Sequence, residues 1–332
     1  MDNLKEKSSY RIAAVVVTYR RKKFLIELLD ALLKQTVKLE AIFVVDNSED
    51  LESLKFLREN KVLEAFTCAS DGECFIEDSI RGVKLFFMRS GKNIGGAGGF
   101  NLGLREAYKR GFELFWLMDD DIEPLSEALE YQLKFLNISD CITPSKKALD
   151  GEILEWWGWL DLRTLREKPI PEENFYKDYA IVNMTCFEGL LIHRKIVSRI
   201  GFPDPAFFIY GDDVVYGFKA SKYTQCIYLL KPTFLKKLKK KNFHKRFGKY
   251  FPFASKTLAY YLMRNYLLKA KQIKSVEPEK VNMAFVYIYH FYYFFKQLIK
   301  AILIERDLKK LSFLIRGFFE SFRLIGEVVK NR

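Results

Sequence analysis

Trp116-Leu117-Met118-Asp119-Asp120-Asp121 is an apolar run that ends in three consecutive carboxylates. Residues 112–118 have the aromatic, apolar character of an interior strand. The acids therefore fall at the strand's C-terminal end, where open α/β sheets bind ligands. Three adjacent carboxylates repel one another unless a cation lies among them, and burying an unpaired charge is costly. All-oxygen ligation suits Mg2+ or Mn2+, the ions that accompany phosphates. The alternative is a solvated acidic turn.

Upstream, residues 12–18 form a β-branched run of buried-strand type, followed by the basic turn 19–23 and apolar three-four spacing that predicts a helix over 24–35. Residues 41–45 read as a second strand, ending at Asp46-Asn47-Ser48, and residues 83–88 as a third. Strands alternating with helices predict an α/β fold with a mostly parallel sheet. Residues 62–81 follow neither period and read as a hairpin insertion.

Asn93-Ile94-Gly95-Gly96-Ala97-Gly98-Gly99-Phe100 follows the third strand and precedes a helix expected over 101–110. Glycines there would let the backbone approach a diphosphate, aided by the helix dipole. A dinucleotide fingerprint belongs after the first strand of its unit, with one acid about 20 residues on; here a triplet of acids follows the next strand. A close-packed turn is the alternative. A further helix is expected over 126–135, and Trp156, Trp157 and Trp159 lie in a strand-like stretch that reads as core rather than as a sugar platform. Residues 181–192 read as one apolar strand broken by Glu188-Gly189, with Glu188 either paired or aimed into a site.

Tyr210-Gly211-Asp212-Asp213 is the second acidic centre, just before a helix expected from about residue 214. Carboxylates at a helix N-terminus are stabilised as anions, so capping is one account of them. A general base with an orienting neighbour is the other.

Composition bounds the rest. At 332 residues, 49% hydrophobic and 29% charged, the chain has enough apolar material for a large domain and an appendage, which excludes a disordered protein. Residues 1–7 lack the apolar core of a signal peptide, and five cysteines form no CxxC pair, both of which fit a cytoplasmic protein with reduced thiols. The net charge of +13 is uneven: residues 231–332 hold 24 Lys+Arg against 6 Asp+Glu.

The motifs together resemble inverting GT-A glycosyltransferases of family 2, closest to bacterial galactofuranosyl- and rhamnosyltransferases of surface polysaccharide synthesis. They are Val17-Thr18-Tyr19-Arg20, Val45-Asp46-Asn47-Ser48, residues 93–100, residues 116–121, residues 208–217, and Arg264-Asn265 in a Tyr-rich helix, in family order over about residues 11–270. The glycine-rich run combined with 208–213 leans towards galactofuranosyl transfer. The resemblance implies a Rossmann-like GT-A domain over 11–235, preceded by a tail at 1–10 and followed by a basic, aromatic helical region at 236–332. It implies that Thr18, Arg20 and Asp46 hold the nucleotide, and that Asn93, Gly95, Gly96, Gly98 and Asp120 line the donor. Asp119 and Asp121 would bind Mn2+ or Mg2+ on the diphosphate. Asp212 would be the base with Asp213 beside it, and Arg264 would reach the diphosphate or brace the site. Where the family places a metal-binding His a little over 20 residues after the acidic pair, residues 234–238 have none; His244 is the nearby candidate. Val215 and Gly211 also depart from the family's usual acid and aromatic around that pair.

The implied partners are a nucleotide-sugar donor, UDP-galactofuranose before dTDP-rhamnose, and a glycan or lipid-linked glycan acceptor. A nucleotidyltransferase would want a basic residue inside the glycine run, and Lys92 lies just outside it. A non-catalytic membrane or glycan-binding protein on a decayed transferase scaffold is the alternative from another class. Residues 231–249 carry eight lysines and one arginine with no acid, and residues 283–295 are almost wholly apolar and aromatic but too short to span a bilayer. Lys-rich amphipathic helices from there to residue 329 suit an anionic membrane interface on the inner face of the cytoplasmic membrane. They suit equally a hairpin packed on the catalytic domain or on a second copy of the chain. No nucleic-acid-binding module accompanies the charge.

Overall fold

Every residue of β1 (Ile12–Thr18) is buried, and successive side chains enter opposite cores. Ile12, Ala14 and Val16 pack with Leu25, Leu28 and Leu32 on one face, while Ala13, Val15 and Val17 pack with Phe100, Leu104 and Ala107 on the other. Apolar cover on both faces is why this strand reads as an unbroken β-branched run rather than an alternation.

The computed structural model describes residues 10–64, 73–154, 157–171, 173, 177–238, 243–246, 249–252 and 255–330. After β1 come α1 (Lys22–Leu33), β2 (Ala41–Asp46), α2 (Glu52–Glu59), β3 (Cys74–Ile80), β4 (Val83–Arg89), α3 (Gly95–Lys109), β5 (Leu114–Asp119), β6 (Ile122–Pro124) and α4 (Ala128–Leu133). Then follow β7 (Cys141–Ala148), β8 (Trp157–Leu160), β9 (Glu167–Pro169), β10 (Tyr179–Val182), β11 (Leu190–His193), α5 (Arg194–Ile200), a 3-10 turn (Pro205–Phe207), α6 (Asp212–Ala220) and β12 (Cys226–Lys236). The chain continues through the hairpin β13 (Phe243–Arg246) and β14 (Lys249–Pro252), α7 (Lys256–Val276), α8 (Met283–Ile299), a π turn (Lys300–Glu305) and α9 (Leu308–Lys330).

The main sheet runs β10-β12-β7-β11-β5-β1-β2-β4-β3, with β6 added to β12. Its centre, β5-β1-β2-β4, is parallel, with Thr18 opposite Asp46 and Val17 opposite Asp119. The predicted mostly parallel sheet is present, and its parallel strands end together where the acids lie.

Three expectations change. Residues 181–192 are not one strand: β10 pairs with β12, whereas β11 lies between β5 and β7. Between them the chain crosses to a different place in the sheet, with β10 and β11 running in the same direction, and Gly189 is held at φ +96° with Phe234 and Pro144 where a Cβ would be. The glycine run is not a loop but the first turns of α3, starting six residues before the expected helix. Cys74 is disulfide-bonded, against five reduced thiols, while Cys141, Cys186 and Cys226 are free and buried. The insertion at 62–81 supplies β3, an antiparallel edge strand on β4. β12 runs to Lys236, one residue past the expected domain boundary.

Helix α7 begins at Ser255, whose hydroxyl accepts the Leu258 N–H. It packs against α6 and α9, with Met263, Leu267 and Ile273 buried. No helix among the described residues is long and apolar enough to cross a membrane.

Candidate active site

At the C-terminal end of β5, Asp119, Asp121 and Glu188 each present a carboxylate oxygen, all within 4.8 Å of one another. Glu188 comes from the crossing segment before β11, so both halves of the broken apolar run build the sheet and the break delivers an acid. Three hard oxygen donors this close fit Mn2+ or Mg2+. Burial, opposed by Lys236 and reinforced by Asp121, Glu188 and Asp120, pushes the Asp119 carboxyl up to about 7.

Among the described residues, three cations face this cluster. Lys236 Nζ lies 2.5 Å from Asp121 Oδ1 and 2.7 Å from Glu188 Oε1. Lys146 Nζ lies 2.6 Å from Glu188 Oε2. Arg21 Nη1 reaches Asp120 Oδ1 at 2.9 Å and Asp121 Oδ2 at 3.3 Å. Burial would raise Glu188, but Lys146 and Lys236 hold it well below the usual carboxylate range. Sequence reasoning missed all three cations. Arg20, the expected donor residue, adopts φ 55° and turns to Glu49 at 2.9 Å, which aims the next residue, Arg21, at the acids.

The Thr18 hydroxyl donates to Asp120 Oδ2 at 2.7 Å, joining the end of β1 to the triplet. Asp46 accepts the Ser48 N–H through Oδ1, but its Oδ2 and the neighbouring Asn47 Oδ1 are buried with no hydrogen-bond partner. A buried polar atom without a partner is expensive unless a ligand completes it. Asn93 Oδ1 accepts the Gly95 N–H at 2.9 Å. Gly95 itself, at φ +73°, leaves room for Phe208, whose carbonyl oxygen would lie 2.1 Å from an added Cβ. A Cβ at Gly99 would lie 2.6 Å from Val17 Cγ1, so glycine lets α3 lie against β1. Gly96 faces open space and Gly98 lies against Ile94. In this structure the glycines serve mainly close helix–sheet and helix–loop packing.

The second acidic pair opens α6. Gly211 caps that helix at φ 91°, and Phe208 and Tyr210 before it also have positive φ. This strained loop is held from α7: Asn265 Nδ2 donates to the carbonyls of Phe207, Ile209 and Tyr210 at 2.8–2.9 Å. Arg264 Nη1 donates to the carbonyls of Ala206 and Phe207 and to Asn265 Oδ1. Of the two roles expected for Arg264, this is bracing.

Asp213 and Lys269 help to line a cavity of about 270 Å³ between α6 and α7, walled by Met184, Leu258, Leu262 and Tyr266. Asp212 is buried and does not line it. Burial pushes Asp212 up to about 6 and Asp213 well above the carboxylate range, the latter aided by Asp212. Thr185 donates to the Asp213 carbonyl, so the short segment 185–188 joins the two acidic centres. His244 stands on β13, but its side chain lies outside the described residues. Trp156 does as well.

A parallel sheet with acids at its strand ends, extended by antiparallel strands and flanked by helices, defines the GT-A class of fold. The profile of glycosyl transferase family 2 matches residues 13–201, more than half of the chain, which belongs to that family. Galactofuranosyltransferase GlfT1 of Mycolicibacterium smegmatis is 28% identical over 214 residues, 61% of this chain and 63% of that protein. GlfT1 of Mycobacterium tuberculosis H37Rv is 27% identical over 219 residues, 61% and 62% respectively. The matched part thus spans less than two thirds of those relatives. Among solved structures, S. aureus TarS 1-349 superposes with a TM-score of 0.55 at 16% identity, covering 96% of this chain and 82% of that one. GalNAc-T7 with UDP, GalNAc and Mn2+ superposes with a TM-score of 0.53 at 13% identity, covering 82% and 51%.

Proposed function

We propose that the chain is an inverting glycosyltransferase that moves a sugar from a nucleoside diphosphate donor to an acceptor hydroxyl in bacterial surface glycan synthesis. Galactofuranose from UDP-galactofuranose is the first choice, in line with the GlfT1 relatives. The observation that carries this reading is the pairing of two acidic centres through one short segment: three convergent carboxylates at the β5 end and Asp213 on a cavity.

In this reading Asp119, Asp121 and Glu188 hold Mn2+ or Mg2+. A divalent ion bound there supplies Lewis-acid charge to the leaving diphosphate. Arg21 adds a fixed positive charge on the same side, and the unpartnered oxygens of Asp46 and Asn47 accept hydrogen bonds from the nucleoside. Asp213 takes the acceptor hydroxyl's proton as its oxygen attacks the anomeric carbon from the face opposite the diphosphate, which inverts that centre. The base role passes from Asp212 to Asp213 because Asp213 faces the cavity. The exposed apolar face of α8 and α9, rimmed by lysine and arginine, rests on an anionic bilayer and brings the site to a lipid-linked acceptor.

The test is calorimetric titration with UDP and with dTDP, each with Mn2+ and with EDTA, followed by nucleoside diphosphate release from UDP-galactofuranose and dTDP-rhamnose in the presence of bacterial membranes. Mn2+-dependent UDP binding and release from UDP-galactofuranose are expected. A preference for dTDP would move the assignment to rhamnosyl transfer, and binding of neither nucleotide would leave a decayed scaffold.

A further inference from the structure

The acidic centre already contains most of its counter-charge. Asp119, Asp120, Asp121 and Glu188 bring four carboxylates, and among the described residues Arg21, Lys146 and Lys236 bring three positive charges, each within 3.3 Å of at least one of these carboxylates. Lys236 matters most, because its ammonium bridges Asp121 and Glu188, two of the three convergent acids. A divalent ion needs the same oxygen lone pairs.

Nor can the lysine withdraw far. It ends β12, in register with Ile122 on one side and Ala148 on the other, and the next residue's N–H donates to the Asp121 carbonyl. Its side chain is only 6% exposed. Adding a divalent ion to this nearly balanced cluster would leave a net positive charge in a buried place, which is unfavourable. A diphosphate arriving with the ion restores the balance and gives the ammonium another anion to face.

We infer that Lys236 is an internal counter-cation that keeps the carboxylate cluster closed to a divalent ion until a nucleoside diphosphate arrives, so that ion and diphosphate bind as a unit. This rests on the nucleotide-sugar reading for the identity of the second ligand, but the part concerning the metal does not need it. The lysine acts through the carboxylates, as a positioning residue.

Calorimetric titration of the full chain with MnCl2 alone, and then with saturating UDP, tests it. The wild type binds Mn2+ weakly by itself and at least about tenfold more tightly with UDP, a coupling of ordinary allosteric size. Lys236→Met, which keeps the length and removes the charge, binds Mn2+ alone at least about tenfold more tightly than the wild type and loses most of the coupling. Should that variant not fold, Lys236→Leu, neutral and without a metal-ligating atom, gives the same reading. A folded variant with wild-type affinity for Mn2+ alone overturns the inference, as does a wild type that binds Mn2+ equally well with and without UDP. No UDP binding under any condition overturns the nucleotide reading and the coupled-binding half, while the metal-only comparison still decides the role of Lys236.

Discussion

Asp212 and Asp213 are identical side chains one peptide bond apart in different surroundings, and the proposed base role of Asp213 rests on that difference. Asp213 borders the cavity, whereas Asp212 is buried and does not line it. Asp213→Asn is expected to lower transfer by about 10²- to 10⁴-fold, the usual worth of a general base, with UDP affinity unchanged. Rates and calorimetry on the same preparation check this, and a normal rate would remove Asp213 as base. Because burial lifts Asp213 well above the ordinary carboxylate range, the acidic limb of the kcat profile should lie above that range too. Asp212 makes a separate prediction about stability. Its folded-state carboxyl is raised to about 6 from an ordinary value of about 4, so between those pH values the folded form keeps a proton that the unfolded form has lost. Stability therefore falls as pH rises through that window, and the loss persists above it. Asp212→Asn should raise Tm at pH 7.5 and leave it nearly unchanged at pH 4; equal shifts at both would mean that charge burial is not the cause.

Among elements, the loop at 207–211 and helix α7 form the joint on which the second acidic centre depends. Three backbone carbonyls of that loop accept from the single amide of Asn265. Removing the amide takes this donor from the Ile209 and Tyr210 carbonyls, at about 1–3 kcal/mol for each group that water does not reach, while the Phe207 carbonyl keeps Arg264 and the Ile209 N–H. Asn265→Ala should therefore destabilise the fold by about 2–4 kcal/mol in urea unfolding; a change below about 0.5 kcal/mol, the range of ordinary surface substitutions, would show that the loop holds itself. The parallel strands were legible in the sequence because a sheet covered on both faces demands continuous β-branched runs, as in residues 12–18 and 41–45. The glycine run was expected to precede its helix and instead opens it, because Gly95 and Gly99 carry packing information: helix α3 tolerates poor helix formers so that it can touch Phe208 and Val17. Glu188 was visible as an acid inside an apolar run. Lys236 was not, since a lysine within a lysine-rich stretch gives no sign of a partner 115 residues away. That Arg21 and not Arg20 faces the acids goes with one positive φ at Arg20, which spacing does not encode.

The molecule as a whole divides by charge, with an acidic sheet region and a basic helical end that holds 24 Lys+Arg against 6 Asp+Glu. Part of that end is packing: α9 lies along α7, and Phe294, Leu314 and Phe318 form a small core with Met263. Its outer face is left uncovered. Ile288, Phe291, Tyr292, Phe295, Ile299 and Leu303 are exposed on consecutive turns from α8 into the π turn. Lys296, Arg306 and Lys309 are exposed in the same stretch. An apolar ridge with basic neighbours matches the interface of an anionic bilayer, where each Lys or Arg contributes about 1 kcal/mol and aromatic side chains enter the headgroup layer. Neither contribution suffices by itself, so both must be tested. The full chain should co-sediment with phosphatidylglycerol-rich vesicles, less with pure phosphatidylcholine, and less again at high salt as charge is screened. Ile288→Glu combined with Phe295→Glu and Ile299→Glu should abolish binding with the far-UV circular dichroism unchanged, since these side chains are exposed. Equal sedimentation of variant and wild type would place attachment elsewhere. A fall in molecular mass of the variant by sedimentation velocity, with no vesicle binding by either form, would instead assign this face to a second copy of the chain.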